Sequence, residues 1–239
     1  DYITYSLYVN VCRSIFETHK LMFSFLLCIK ILMGGEKVDL SEWRFLLAGG
    51  KLAGGAPKPD AAWLEEGVWL EFINLAQLPK FKGVEEHVAA NLDAWRKVYD
   101  DVAPERATLP GAWDSKLSML QKLLVLRCLR PDKCIPAVQS FVEAEIGRRF
   151  IEPPPFDLHA AFVDSSVTLP LIFILSTGAD PVKGLLAYGE SQGMSSRFDY
   201  ISLGQGQGPK AERLIKEGKE QGRWVLLMNC HLYVSWMNQ

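Results

Sequence analysis

The run LPLIFILSTGADP at residues 169–181 decides how this chain is read. Residues 169–175 are apolar without interruption, which is the length and composition of a strand buried on both faces. A short turn follows, Ser176-Thr177-Gly178-Ala179-Asp180-Pro181, and then a helical stretch at 181–192. Strand, small-residue turn and helix in this order form the entrance of a nucleotide-binding P-loop domain. In such a turn backbone N–H groups wrap the phosphates, a lysine neutralises them and a hydroxyl holds magnesium. Here the lysine is missing, Asp180 would face the phosphates, and Pro181 removes an N–H donor. The reading is a P-loop-like architecture without the chemistry of one.

Downstream the same alternation continues. Residues 198–203 and 224–228 read as strands, and residues 209–221 between them read as a helix, the pattern of a parallel, helix-covered sheet. The strand at 224–228 stands where such domains place acidic residues that hold the metal and polarise the attacking water. It ends instead in Asn229-Cys230-His231. An asparagine accepts a hydrogen bond from water but brings no charge to Mg²⁺. The GQGQG run at 204–208 could admit an anion to the start of the next helix. The plainer reading is a tight connection whose glycines take positive φ, with the Gln205 and Gln207 amides turned toward a neighbouring module.

Upstream of the quoted run, three consecutive prolines within residues 151–168 predict an extended connector and a domain boundary. Before it, apolar residues recur at helical spacing. Leu7, Val11, Ile15, Met22, Phe25, Ile29 and Met33 predict a core-facing stripe on one helix, broken once and ended by Gly34-Gly35. A short helix starts at Ser41-Glu42, and the Gly/Pro-rich tract at 49–59 is a surface loop. Further helices are predicted at 60–78, 84–100, 114–129 and 131–147, with Pro131 at a first helical position. Trp63, Trp69, Trp95 and Trp113 punctuate this region as packing residues. The fold class is thus α+β: a helical region over 1–150, a Pro-rich linker over 151–168, and an incomplete P-loop-like α/β domain with parallel strands over 169–239.

Arg127 and Arg130 join two of these helices. A guanidinium there could act in trans on a neighbour's nucleotide, since it stabilises phosphoryl charge; the local alternative is capping of helix carbonyls and pairing with a nearby carboxylate. Charge and composition exclude other classes. With 26 basic and 28 acidic residues the net charge is −2, against a nucleic-acid partner. Five cysteines form no CxxC pair and suit buried thiols in a reducing compartment, and the four scattered histidines offer no metal set. The apolar stretch 21–29, closed by Lys20 and Lys30, is about half the ~20 residues of a membrane span. The chain opens on Asp1 and stops soon after a strand, which predicts a piece of a longer protein.

Five stretches in order carry a family resemblance: YSLYVNVCRSIFETHKLMFSFLLCIKI (5–31), LRCLRPDK (126–133), LPLIFILSTGADP (169–181), SLGQGQGP (202–209) and WVLLMNCHLYVSWM (224–237). Together they resemble dynein heavy chains, at the helical end of the fifth AAA+ module and the start of the sixth. Asn229-Cys230-His231-Leu232 and Ser235-Trp236 are more similar to axonemal than to cytoplasmic members. The resemblance implies a six-module ring with sheets ordered five, one, four, three, two. It also implies ATP and Mg²⁺ in other modules, with the first as main ATPase, and a stalk reaching the microtubule. The sixth module is then a non-hydrolysing spacer, with no cofactor or metal in this segment. Implied partners are the neighbouring modules, the microtubule and dynein intermediate and light chains, with no nucleic acid or membrane. The implied setting is cytoplasm, cytoskeleton and the axoneme of cilia or flagella. Two other readings compete: a stand-alone P-loop-like enzyme using GQGQG as an atypical phosphate loop, and a helical scaffold protein.

Overall fold

The computed structural model describes residues 2–51, 54–152, 155–175 and 178–237. The chain divides into two compact units, residues 1–154 and 155–239. Among the described residues no helix is long and apolar enough to cross a membrane.

The first unit is helical. Helices α1 (Tyr2–Cys12) and α2 (Glu17–Gly34) are separated where both the amide and the hydroxyl of Ser14 bond the Val11 carbonyl, which closes the first helix in a turn. Their buried face differs from the expected stripe. Tyr8 and Cys12 face inward on α1, with Ser24, Cys28, Ile29 and Leu32 on α2, while Leu7 and Met22 are exposed. The apolar positions are dense enough to support more than one stripe, and ring packing decides between them: Tyr8 lies 5.1 Å from Phe150 and stacks on Phe23. Helix α3 (Leu40–Ala48) starts one step earlier than expected, because the Asp39 carboxylate accepts the amides of Ser41 and Glu42.

The predicted helix at 60–78 shortens to α4 (Glu66–Leu75), and that at 84–100 divides into α5 (Val84–Ala90) and α6 (Leu92–Tyr99) at Asn91. The predicted 114–129 helix divides into α7 (Trp113–Lys116) and α8 (Met119–Leu129). Ser118 breaks it by forming a reciprocal capping box with Gln121. Pro131 opens a 3₁₀ turn that leads into α9 (Cys134–Ile146). Helix α8 is the centre of the unit. It contacts α3, α4 and α9, and Leu120, Leu123, Leu124, Val125, Leu126, Cys128 and Leu129 are all buried, as expected of a helix apolar around most of its circumference. Trp69, Trp95 and Trp113 are buried in the same core, with Trp63 packed against it. The 49–59 loop is regular nowhere among its described residues, yet it is seated on α4: Trp69 Nε1 donates to the Ala56 carbonyl at 2.8 Å, and a Cβ on Gly50 would lie 1.9 Å from Asn74 Cγ.

In the second unit, the expected connector contains a helix, α10 (Leu158–Val163). Of the proline run, Pro153 and Pro154 lie outside the described residues. Beyond them Asp157 caps the amide of Ala160, and Phe162 packs 4.9 Å from Trp224 and 5.6 Å from Tyr188. Then come α11 (Val182–Ser191), β1 (Phe198–Ser202), α12 (Gly208–Gln221), β2 (Trp224–Met228) and a last turn of helix, α13 (Val234–Met237). β1 and β2 pair in parallel, Phe198 opposite Trp224 through Ser202 opposite Met228, and Arg223 grips Asp199 with two hydrogen bonds of 2.6 and 3.1 Å. That bond to Arg223 holds the Asp199 carboxyl below the usual carboxylate range.

The expected strand at 169–175 is not formed. Leu169 makes an isolated bridge to Ser166, residues 171–175 pair with no strand among the described residues, and Ile172 is 81% exposed. A strand exists only through a partner, and an apolar run of the right length does not supply one.

Candidate functional site

Parallel sheets bind ligands at the carboxyl ends of their strands. In the second unit that edge comprises Ser202, the loop at 203–207, the start of α12 and Asn229. Asn229 directly follows β2, takes a left-handed conformation (φ 57°, ψ 38°) and donates from Nδ2 to Ser202 Oγ at 2.9 Å. Asn229 is thus a neutral amide that joins the two strand ends. Ser202 is the partner that sequence reasoning missed; its place at the end of the neighbouring strand was the available signal.

The GQGQG run connects β1 to α12. Gly206 takes a positive φ of 79° and Gln207 precedes the first turn of α12. The start of α12 is also covered. A Cβ on Gly208 would stand 2.8 Å from Trp236 Cδ1 and 3.3 Å from a Tyr233 ring carbon, so the indole occupies the space over the first turn. Trp236 Nε1 donates to Glu212 Oε1 at 2.8 Å, which fixes the ring there. Pro209 adds a position without an N–H. Gln205 and Gln207 are exposed.

Of the turn at 176–181, Ser176 and Thr177 lie outside the described residues. Gly178 has a positive φ of 83°, Ala179 follows it, and Pro181 immediately precedes α11. The Asp180 carboxylate accepts the Val182 amide at 3.0 Å. An N–H that a phosphate would need is thus already bonded to a side chain of the same sign as the phosphate. Among the described residues no hydrogen bond joins this turn to Asn229.

Arg127 and Arg130 sit in the helical unit, each with local partners. Arg127 Nη1 donates to Glu71 Oε2 at 2.8 Å, and its guanidinium lies over the Phe45 ring. Arg130 holds Asp132 through Nε and Nη2 at 2.8 and 2.7 Å and donates from Nη1 to the Tyr99 carbonyl at 2.5 Å. The hydrogen bond from Arg130 keeps the Asp132 carboxyl below its ordinary range, and Arg130 is raised in turn. The cysteines are free: burial pushes the Cys28 thiol up to about 12 and raises that of Cys128 as well. Among the described residues no group of His, Cys, Asp and Glu is arranged to hold a metal ion.

Residues 166–239 match the family model described as dynein heavy chain region D6 P-loop domain. Similarity extends over the helical residues as well. Dynein axonemal heavy chain 12 of Homo sapiens is 47% identical over 239 residues, 99% of this chain and 8% of the relative. Dynein axonemal heavy chain 1 of Homo sapiens is 48% identical over 236 residues, 99% of this chain and 6% of the relative. Dynein axonemal heavy chain 3 of Mus musculus is 46% identical over 239 residues, with 99% and 6% covered. The chain spans less than a tenth of the length of these relatives. This similarity across both units places the chain in the axonemal dynein heavy chain family, as a segment that includes the D6 P-loop region.

Proposed function

We propose that the chain is a structural part of a dynein ring, the helical end of a fifth AAA+ module followed by the start of a sixth, and that it neither binds nor hydrolyses nucleotide. It serves an ATP-driven, minus-end-directed motor of the ciliary or flagellar axoneme, whose ATP and Mg²⁺ sites lie in other modules. Its direct partners are the neighbouring modules of the heavy chain. The microtubule and the dynein intermediate and light chains are reached through the rest of the motor.

The observation that carries this reading is the Asp180 carboxylate on the Val182 amide at the start of α11. A phosphate arriving there would have to displace an internal acceptor and then sit beside its negative charge. Asn229, committed to Ser202, supplies no anionic ligand for a metal. Both effects act against nucleotide. Photoaffinity labelling of the intact heavy chain with an azido-ATP, followed by peptide mapping, tests the proposal. Labelled peptides are expected outside residues 169–239. Saturable, ATP-competed labelling at 178–182 or 204–208 would refute it and revive the phosphate-loop reading.

A further inference from the structure

His87 stands where three segments of the helical unit meet. It lies in the last turn of α5, and its ring is steeply tilted to Trp95 of α6 at 6.1 Å and to Trp113 of α7 at 6.2 Å. Trp95 is fully buried, and its Nε1–H donates to His87 Nδ1 at 3.1 Å. An imidazole that accepts at Nδ1 is the neutral form with its proton on Nε2. The Nε2 side is tightly bounded: a Cβ on Gly111 would lie 3.0 Å from Nε2, and Gly111 takes a φ of 64°. The ring is thus wedged between the Trp95 indole and the turn at Gly111, with little room to swing clear of the indole.

We propose that His87 is an acid-operated latch, which with a neutral ring fastens α5 to α6 through Trp95 and on protonation releases the indole and loosens the corner of α5, α6 and α7. A histidine protonated at both nitrogens is a donor twice and an acceptor nowhere. A second ring proton would set one N–H against another, and the buried indole would lose its acceptor, which is costly away from water. The new charge would also meet the Trp113 ring, over which the Lys116 ammonium already lies at 4.1 Å. The charged groups of the packed elements do not offset this. Glu85 and Glu86 are two positions and one position from His87 on α5, off its face of the helix. On α6 Asp93 is exposed and Arg96 pairs with Asp100, while Asp114 of α7 holds Lys122 Nζ and the Leu109 amide. Histidine suits a device of this kind because its charge changes between about pH 5 and 8.

The test is NMR of the ¹⁵N-labelled 239-residue chain, following solvent exchange of the Trp95 indole N–H from about pH 8 to pH 5. The Trp69 indole is the internal reference, because it is also buried and donates to the Ala56 carbonyl, which does not titrate in this range. The ratio of the two exchange rates cancels the intrinsic effect of pH. It is expected to rise about tenfold toward pH 5, the factor that one ordinary hydrogen bond supplies. His87→Asn, whose side-chain oxygen accepts at every pH, is expected to hold the ratio flat. In the unaltered chain the Trp95 indole resonance is expected to move in step with the His87 ring signals while that of Trp69 stays, so the wild type decides even if the variant fails to fold. A ratio indifferent to pH, a Trp95 resonance that does not follow His87, or an equal rise in His87→Asn would overturn the proposal.

Discussion

Replacing Arg130 by alanine removes three hydrogen bonds together, two to Asp132 and one to the Tyr99 carbonyl, along with a guanidinium 5.4 Å from the centre of the Tyr99 ring. The contributions are unequal. The Asp132 side chain is 57% exposed, so water screens that pair and it is worth about 0.2–1 kcal/mol. The bond to the Tyr99 carbonyl is charge-assisted and part-buried, a class worth about 1.5–3 kcal/mol. The backbone amide of residue 130, which closes α8 on the Leu126 carbonyl, survives the substitution. The expected loss is therefore about 2–4 kcal/mol, read as a lower urea midpoint at unchanged slope. Arg130→Lys keeps the charge but not the two-point grip and should fall between. The pH dependence has a definite sign. Arg130 depresses the folded pKa of Asp132, so the pair's contribution is present at neutral pH and is lost as pH falls through that lowered value. Arg130→Ala should flatten this part of the acid limb. A midpoint equal to wild type would refute the structural role and leave the trans-acting role as the better account.

Gly208→Ala should destabilise the second unit by about 1–3 kcal/mol, because the new methyl displaces the Trp236 indole; unchanged tryptophan fluorescence and stability would show that the indole is not seated there. Burial raises the pKa of Glu42, whose Oε1 accepts from Gln121 Nε2, so its contribution is fullest below the unfolded value of about 4.3 and is lost as pH rises through its own pKa. Glu42→Gln should therefore gain stability relative to wild type between acid and neutral pH, and parallel stability curves would contradict this. Asp180→Lys places a positive charge in the turn at 176–181 but leaves Pro181 and Asn229, so on the proposed function calorimetry with Mg-ATP should still detect no binding; micromolar affinity would show that a single charge had been the barrier.

The helices and paired strands most legible in the sequence are those with a local cause. β2 occupies the expected residues 224–228, and α12 and α11 begin and end within one residue of expectation, because Pro209, Gly222 and Pro181 punctuate the chain by their own backbone preferences. The chemistry of Asp180, Pro181 and Asn229 was readable for the same reason: charge and the missing N–H belong to the residue type itself. Tertiary structure decided the rest. Whether 169–175 is a strand depends on a partner elsewhere, and no periodicity within the run encodes that partner. The inward face of α1 was settled by the rings of Phe23 and Phe150, residues distant from Tyr8 in sequence, and α10 is held by Trp224 and Tyr188 far downstream. The Asn229–Ser202 bond and the indole over Gly208 likewise arise from segments meeting in space. Backbone preference acts over a few residues and can be read along the chain, whereas pairing, burial and desolvation depend on which distant residues arrive at one place, which only the folded structure specifies.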